Sequence, residues 1–398
     1  MSRWNPILIA ALVTTPALVL RFGDLHAVPG AEAVVFGVAI LGAAFLLTWA
    51  AEVAEVDVSQ GLALSFLALV AVLPEYAVDL YFAWRAPHQP EYAAYATANM
   101  TGANRLLIGV AWPLIVGLFW WRERKPELVL PRSRCVELVF LAIATAYSFV
   151  IPLKGTLSPI DVVVLVGCFV AYVWRTAQGE VEEPELLGPA LALGELRPTW
   201  RRVAVAVLFV FSAVVIFASA ERFAEALVHL GKNAGIDEFL LVQWLAPLAS
   251  EAPEVVIACI LTLRGDAQAG MGAMISSKVN QWTLLVGTLP LVYSISAGAP
   301  SALHLDARQI EEILLTSAQS LFAVAVLANL RLSRLEAAAL FVLFAAQLCF
   351  PNPHVRYGFA VLYLALGAMT LWRRRHDLPQ FFRAGLFPEE TRAGGSRP

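Results

Sequence analysis

Runs of about 16–28 mostly apolar residues, separated by short polar breaks, recur along the chain from Pro6 to Trp372. A run of this length matches the roughly 20 residues a helix needs to cross the hydrocarbon core of a bilayer. In lipid, every backbone polar group must be bonded within its own segment. The fold class expected is therefore all-α, a polytopic membrane protein of about 12 transmembrane helices. Only 15% of the residues are charged, against roughly 25% in a soluble domain. The spans are expected at about 6–22, 31–51, 61–84, 93–120, 134–151, 159–175, 203–228, 238–263, 268–296, 309–329, 334–350 and 356–372. The first lacks a basic leader and a small-residue cleavage site, so it reads as a membrane helix and not as a signal peptide. A net charge of −3 gives no reason to expect nucleic acid as a partner. The expected partners are the lipid bilayer and inorganic cations, with no cofactor beyond transported ions such as Ca²⁺, Na⁺ or H⁺.

Two of the spans contain a proline followed by an acid: Leu73-Pro74-Glu75 and Ala252-Pro253-Glu254. An acid at membrane depth is costly and marks an ion or proton pathway. The proline beside it removes a backbone donor and is expected to break the helix. The carbonyls of Val70 and Ala249, four residues back, then lose their usual partners. Free carbonyls persist at membrane depth only where they are buried or line a cavity. Glu75 and Asp79 are four apart and share a helix face, as do Glu251 and Glu254 at three apart. Carboxylates with freed carbonyls make an all-oxygen site, which suits hard cations. The plainer reading of such acids, span ends facing headgroups, fits Asp79 better than Glu75 or Glu254.

The span after each Pro-Glu pair opens with small and polar residues, Ala98-Asn99-Met100-Thr101-Gly102-Ala103-Asn104-Arg105 and Gly272-Ala273-Met274-Ile275-Ser276-Ser277-Lys278-Val279-Asn280-Gln281. Small residues let helices approach closely, and amide or hydroxyl oxygens can complete a cation shell. Asn104, Ser277 and Gln281 are the candidates here; Thr101, Ser276 and Asn280 belong to the same stretches. Lys278 and Arg105 are cations inside apolar spans, where each needs a carboxylate partner. Lys278 is expected to pair with Glu75 or Glu254 as an internal, modulating cation, Arg105 being a second. Glu52, Glu55, Glu221 and Glu225 precede the two Pro-Glu spans and read either as cation guides or as solvated helix ends. Cys135, Cys168, Cys259 and Cys349 read as small core hydrophobes.

The halves repeat. Besides the Pro-Glu pairs, Ala51-Glu52-x-x-Glu55 resembles Ala220-Glu221-x-x-x-Glu225, and Leu157-Ser158-Pro159-Ile160-Asp161 resembles Leu332-Ser333-Arg334-Leu335-Glu336. The repeat covers five spans, and an odd number turns the second copy upside down. The organisation expected is an extra N-terminal helix (1–30), repeat 1 (31–175), a polar linker (176–202), repeat 2 (203–350), an extra C-terminal helix (351–373) and a basic disordered tail (374–398). Of the 28 Lys and Arg residues, 19 fall in segments on the side of the N-terminus and 6 on the opposite side. That bias puts both termini in the cytoplasm and the protein in the cytoplasmic (inner) membrane.

A Pro-Glu span followed by a Gly-Ser-Asn-type span, twice and inverted, resembles the calcium/cation antiporter superfamily. That superfamily includes sodium/calcium exchangers and proton-coupled calcium exchangers. The resemblance implies that Glu75 and Glu254 bind the calcium ion and that polar residues on the following spans bind the remaining ions. The chain departs from the pattern at Ala71-Val72 and Ser250-Glu251, where the family has Thr-Ser. The final polar ligand of the second motif is Leu107 in one half and Gln281 in the other. Both departures argue against binding of several sodium ions. The function expected is secondary antiport, most readily of Ca²⁺ against Na⁺ or H⁺, with Glu75, Glu254, Glu251, Asp79, Asn104, Ser277 and Gln281 around the ion. The competing reading is a non-transporting sensor or scaffold in which Lys278 occupies the ion site. Neither a G-x-x-x-x-G-K-[ST] loop nor an H-E-x-x-H or G-x-S-x-G motif occurs, so the chain is not read as an enzyme.

Overall fold

The computed structural model describes residues 3–57, 73–178, 186, 188–350 and 352–387. Among these, nine helical runs are long and apolar enough to cross a membrane: Asn5–Phe22, Pro29–Ala54, Glu91–Glu123, Arg132–Lys154, Pro159–Thr176, Pro198–Ala234, Glu238–Arg264, Ala307–Leu327 and Pro353–Arg373. Helices at Leu73–Arg85, Arg334–Leu348 and the consecutive segments Ala267–Asn280, Gln281–Leu285 and Val286–Ala297 lie where the other three spans are expected. The protein is an all-α, polytopic membrane protein.

The helix boundaries follow from local chemistry. Proline occupies the first turn of Pro29–Ala54, Pro159–Thr176, Pro198–Ala234 and Pro353–Arg373, where its missing N–H costs nothing. Gly235, at φ 66°, ends the 37-residue helix Pro198–Ala234 in the left-handed conformation that glycine adopts without strain. The Ser-x-x-acid matches seen in both halves are capping boxes. Asp161 accepts from the Ser158 N–H at 2.6 Å, and Glu336 accepts from the Ser333 N–H at 2.9 Å. Each box opens the helix that follows it, Pro159–Thr176 or Arg334–Leu348.

Three expectations are corrected. The helix Glu238–Arg264 runs unbroken through Pro247 and Pro253. A proline deletes one bond of the ladder, and packing on both sides holds the remaining turns, so the helix continues with freed carbonyls instead of ending. The corresponding region of the first half, with Val70, Ala71 and Val72, lies outside the described residues, and so do Glu180, Glu182, Glu183 and Glu185. The basic tail contains a helix, Leu378–Leu386. Phe381 and Gly385 are buried against the helix Cys135–Ser148, and Arg175 donates to the carbonyls of Ala384 and Phe387 at its C-terminal end. A basic group at that end is favoured by the helix dipole. Among the cysteines, Cys349 is exposed at a helix end and is not in the core.

The helix Pro29–Ala54 lies along Pro198–Ala234, and Glu238–Arg264 packs against both Glu91–Leu106 and Ala267–Asn280. Two short antiparallel ribbons tie the halves together. Glu127–Val129 pairs with Arg331–Ser333, and Thr156–Leu157 pairs with Leu303–His304. Each ribbon takes one strand from either half.

The approach at Gly102 is close. A Cβ there would lie 1.9 Å from the Gln243 carbonyl oxygen, the carbonyl that Pro247 deprives of its helical donor. Gly102→Ala is expected to push Glu91–Leu106 away from Glu238–Arg264. The cost should be about 1–3 kcal/mol, seen as a lowered melting temperature in detergent. A second contact responds to pH. Arg201 donates to both oxygens of Asp57, at 2.6 and 2.8 Å. These bonds hold the Asp57 carboxyl below the usual aspartate value. The stabilisation is complete above the unfolded value of about 3.9 and is lost as pH falls through the lowered one. The stability gap between wild type and Asp57→Asn should stay flat from neutral pH down to about pH 5 and close below about pH 4.

Candidate functional site

Three carboxyl groups converge at the centre of the helix packing. Oxygens of Glu75, Glu251 and Glu254 all lie within 4.8 Å of one another. Glu75 and Glu251 are buried and Glu254 is half-buried. Glu75 sits in the first turn of Leu73–Arg85, directly after Pro74. Glu251 and Glu254 flank Pro253 one turn apart on Glu238–Arg264.

The segment around Gln281 adjoins these acids. It opens the π-helical turn Gln281–Leu285, just as Leu107 opens the π turn Leu107–Ala111 in the first half. Such turns reset the direction of side chains and recur at functional sites. Gln281 donates from Nε2 to Glu251 and, at 3.4 Å, to Ser277 Oγ. Several buried oxygens accept no hydrogen bond: Glu75 Oε2, Glu251 Oε2, Gln281 Oε1 and Asn280 Oδ1. Buried oxygens ordinarily have partners. Oxygens facing each other at up to 4.8 Å match two ligands on opposite sides of a Ca²⁺ ion, each about 2.4 Å from it.

Lys278 lies one turn before Gln281 and is fully buried. Its Nζ donates to Asn104 Oδ1 at 2.7 Å and lies 4.3 Å from the centre of the Trp282 ring. No carboxylate of the described residues is within ion-pair reach of it, so the expected pairing with Glu75 or Glu254 is not what the fold makes. Asn104 and Trp282 hold the ammonium to one side by a hydrogen bond and a cation–π contact. Asn104 is kept in place by its own donation to the Met100 carbonyl at 2.8 Å. It therefore holds the lysine.

Arg105 is also corrected. One residue turns a helix by about 100°, so Arg105 points away from the side that Asn104 serves. It pairs with Glu312 at 2.7 Å over the face of Trp244. Arg356 completes this second buried network, binding Glu311 at 2.9 Å and Glu312 as well. Asp79 is fully buried one turn beyond Glu75 and is not among the three converging acids. Thr101 is fully buried and accepts from Gln243 at 3.4 Å. Glu225 accepts from the phenols of Tyr81 and Tyr92 and lies 3.9 Å from Arg85, and Glu221 pairs with Arg21. These two are engaged helix-end acids. Sequence reasoning missed Trp282, although its position four after Lys278 is a readable signal, and missed the Arg105–Glu312–Arg356 network. The adjacent acids Glu311-Glu312 in an apolar span hinted at that network.

This fold, with acids buried at its centre, defines a polytopic membrane protein of the cation-exchanger class. Residues 31–177 and 204–351 match the sodium/calcium exchanger protein family, and the chain belongs to that family. Its members are ion exchangers, not enzymes. The crystal structure of the H⁺/Ca²⁺ exchanger CAX is similar at 46% identity over 97% of this chain and 98% of that one, with a TM-score of 0.94. Native YfkE is 14% identical over 90% of this chain and 100% of that one, at a TM-score of 0.61. The sodium-calcium exchanger NCX_Mj is 16% identical over 81% and 99%, at 0.53. These last two share the fold. No curated protein matches the sequence.

Replacing Asn104 with leucine removes the one oxygen that accepts from Lys278 among the described residues. The stranded ammonium is expected to cost about 1–3 kcal/mol, measured as thermal stability in detergent, with Asn104→Asp recovering most of it.

Proposed function

We propose that the chain is a secondary antiporter that moves Ca²⁺ against H⁺, at a site made by Glu75, Glu251 and Glu254, by alternating access between two inverted halves. The observation that carries this reading is the convergence of three carboxyl groups within 4.8 Å of one another from two separate parts of the chain. Gln281 and Ser277 rim the site; Asp79 lies beside it. Protons are preferred to sodium as the coupling ion for two reasons. The chain lacks the hydroxyl pairs before Pro74 and Pro253 that serve sodium in the family pattern, and the relative at 46% identity is described as an H⁺/Ca²⁺ exchanger.

Several features support inversion of the halves. The family match falls on 31–177 and again on 204–351, five expected spans in each. The π turns at Leu107–Ala111 and Gln281–Leu285 occupy corresponding places. The ribbons behave as inversion requires: the strands Glu127–Val129 and Leu303–His304 correspond, as do Thr156–Leu157 and Arg331–Ser333, so exchanging the halves exchanges the two ribbons. The excess of Lys and Arg on one side supports cytoplasmic termini in a cytoplasmic membrane. A non-transporting role with Lys278 seated in the ion site is disfavoured, because the ammonium is held by Asn104 and Trp282 and forms no ion pair with the acids.

Glu254→Gln removes one ligand charge with little change of shape. Calcium uptake into proteoliposomes driven by a pH gradient is expected to fall at least about tenfold, a loss of roughly 1.4 kcal/mol or more in the limiting step. Uptake unchanged from wild type would overturn the assignment.

A further inference from the structure

We propose that the segment Arg373–Phe387 is a docking surface for anionic phospholipid headgroups, in the bilayer leaflet at the Arg373 end of the span Pro353–Arg373.

The segment follows that span directly and contains the nine-residue helix Leu378–Leu386. It opens with three consecutive arginines, and the middle one is engaged internally. Arg374 donates to the Ala325 carbonyl at 3.0 Å and pairs with Glu336 at 2.6 Å. Its neighbours Arg373 and Arg375 are exposed, and so is Arg383 on the helix. No ion pair joins any of these three to a carboxylate of the described residues, the exposed Asp377 of the same segment included. The Arg375 guanidinium lies 4.9 Å from the centre of the Trp372 ring. Trp372 is itself 70% exposed at the end of the span, and tryptophans in that position sit at headgroup level.

The short helix is held rigidly at the same level. Phe381 and Gly385, one turn apart, face the helix Cys135–Ser148. A Cβ at Gly385 would lie 2.5 Å from Val139 Cγ2 and 2.7 Å from the Cys135 carbonyl oxygen. Cys135 and Val139 belong to the opening turns of their helix, so Leu378–Leu386 lies across the end of a membrane span and not at its middle. Arg175 fixes the other end through the Ala384 and Phe387 carbonyls.

The remaining apolar groups of the helix have no protein over them. Phe382 and Leu386 are four apart and share a face, turned about 100° from that of Phe381 and Gly385. Both are exposed, and Phe387 beyond them is 63% exposed. A fixed apolar strip beside arginines, at the end of a span, is the pattern of an interfacial helix: rings toward the acyl boundary, guanidinium groups among phosphates. Basic residues immediately following a span are also the first to meet the negative potential of anionic lipids. Lipid is therefore the occupant that matches both the charge and the depth of this surface.

The test uses the full-length protein in neutral detergent, with binding of phosphatidylglycerol and of phosphatidylcholine read by native mass spectrometry. Wild type should bind phosphatidylglycerol at least about tenfold more tightly than phosphatidylcholine. Changing Arg373, Arg375 and Arg383 together to Gln should bring the ratio to within about twofold. The same change at Arg122, Arg124 and Arg197, exposed arginines of other segments expected on that side, should leave the ratio as it is. The proposal is overturned if wild type shows no preference, if the first triple variant keeps it, or if the second loses it. Soluble glycerol phosphate that displaces the lipid at equal concentration overturns it too, since the surface would then be a free-anion site. A dimer mass that the first triple variant abolishes assigns the surface to a second copy of the chain and likewise overturns it. If that variant does not fold, Arg383→Gln alone decides: a reduced ratio upholds the proposal and an unchanged one overturns it.

Discussion

Like charges brought together in an apolar slab repel strongly, and the arrangement of this protein turns on that repulsion. At separations near 4.8 Å, two ionised carboxylates cost on the order of 3–4 kcal/mol per pair at the effective dielectric of a protein. Three such groups stay ionised only while cations share the space. The remainder of the centre serves this need. Pro253 frees the Ala249 carbonyl beside the acids, a π turn places Gln281 against Glu251, and Lys278 lies one turn away. The helices that carry these groups are otherwise ordinary apolar spans, long enough to cross a bilayer and closely packed.

The second charged network shows what the central one lacks. Arg105, Arg356, Glu311 and Glu312 are buried together in equal numbers of each sign. Such a cluster is closed: every charge has its opposite, and it ties the helix Pro353–Arg373 to Ala307–Leu327 and Glu91–Leu106. The central acids outnumber the one ammonium near them, and Lys278 is bonded to an amide and not to any of them. An open imbalance is what an ion carrier requires, and a closed balance is what a scaffold requires. Both occur on the helix Glu91–Leu106, Asn104 serving the first and its neighbour Arg105 the second.

Much of this was legible in residues alone, for reasons that differ case by case. Apolar run length reveals spans because backbone satisfaction in lipid leaves little alternative to helices. The Ser-x-x-acid signatures at Ser158 and Ser333 reveal helix starts because a capping box is local chemistry. The Pro-Glu pairs marked Glu75 and Glu254 because an acid beside a proline at membrane depth has few uses. Reading Pro253 as a break failed because the cost of one missing bond is set by the packing of the whole helix. Reading the tail's described part as disordered failed because Phe381 finds a buried seat against Cys135–Ser148, and composition carries no record of that partner.

What the sequence by itself determined is the class of solvent this chain lives in, where its helices begin, and which residue types lie at membrane depth. These depend on interactions within a few residues along the chain. Which buried charge meets which was decided only by the tertiary structure. Lys278 could face Glu75, Glu254 or neither, and Arg105 could join the acids or turn its back. Those outcomes depend on rotations of about 100° per residue and on helices far apart in sequence, such as the one carrying Asn104 and the one carrying Lys278. Charge pairing acts through space, and only the packed helices define that space.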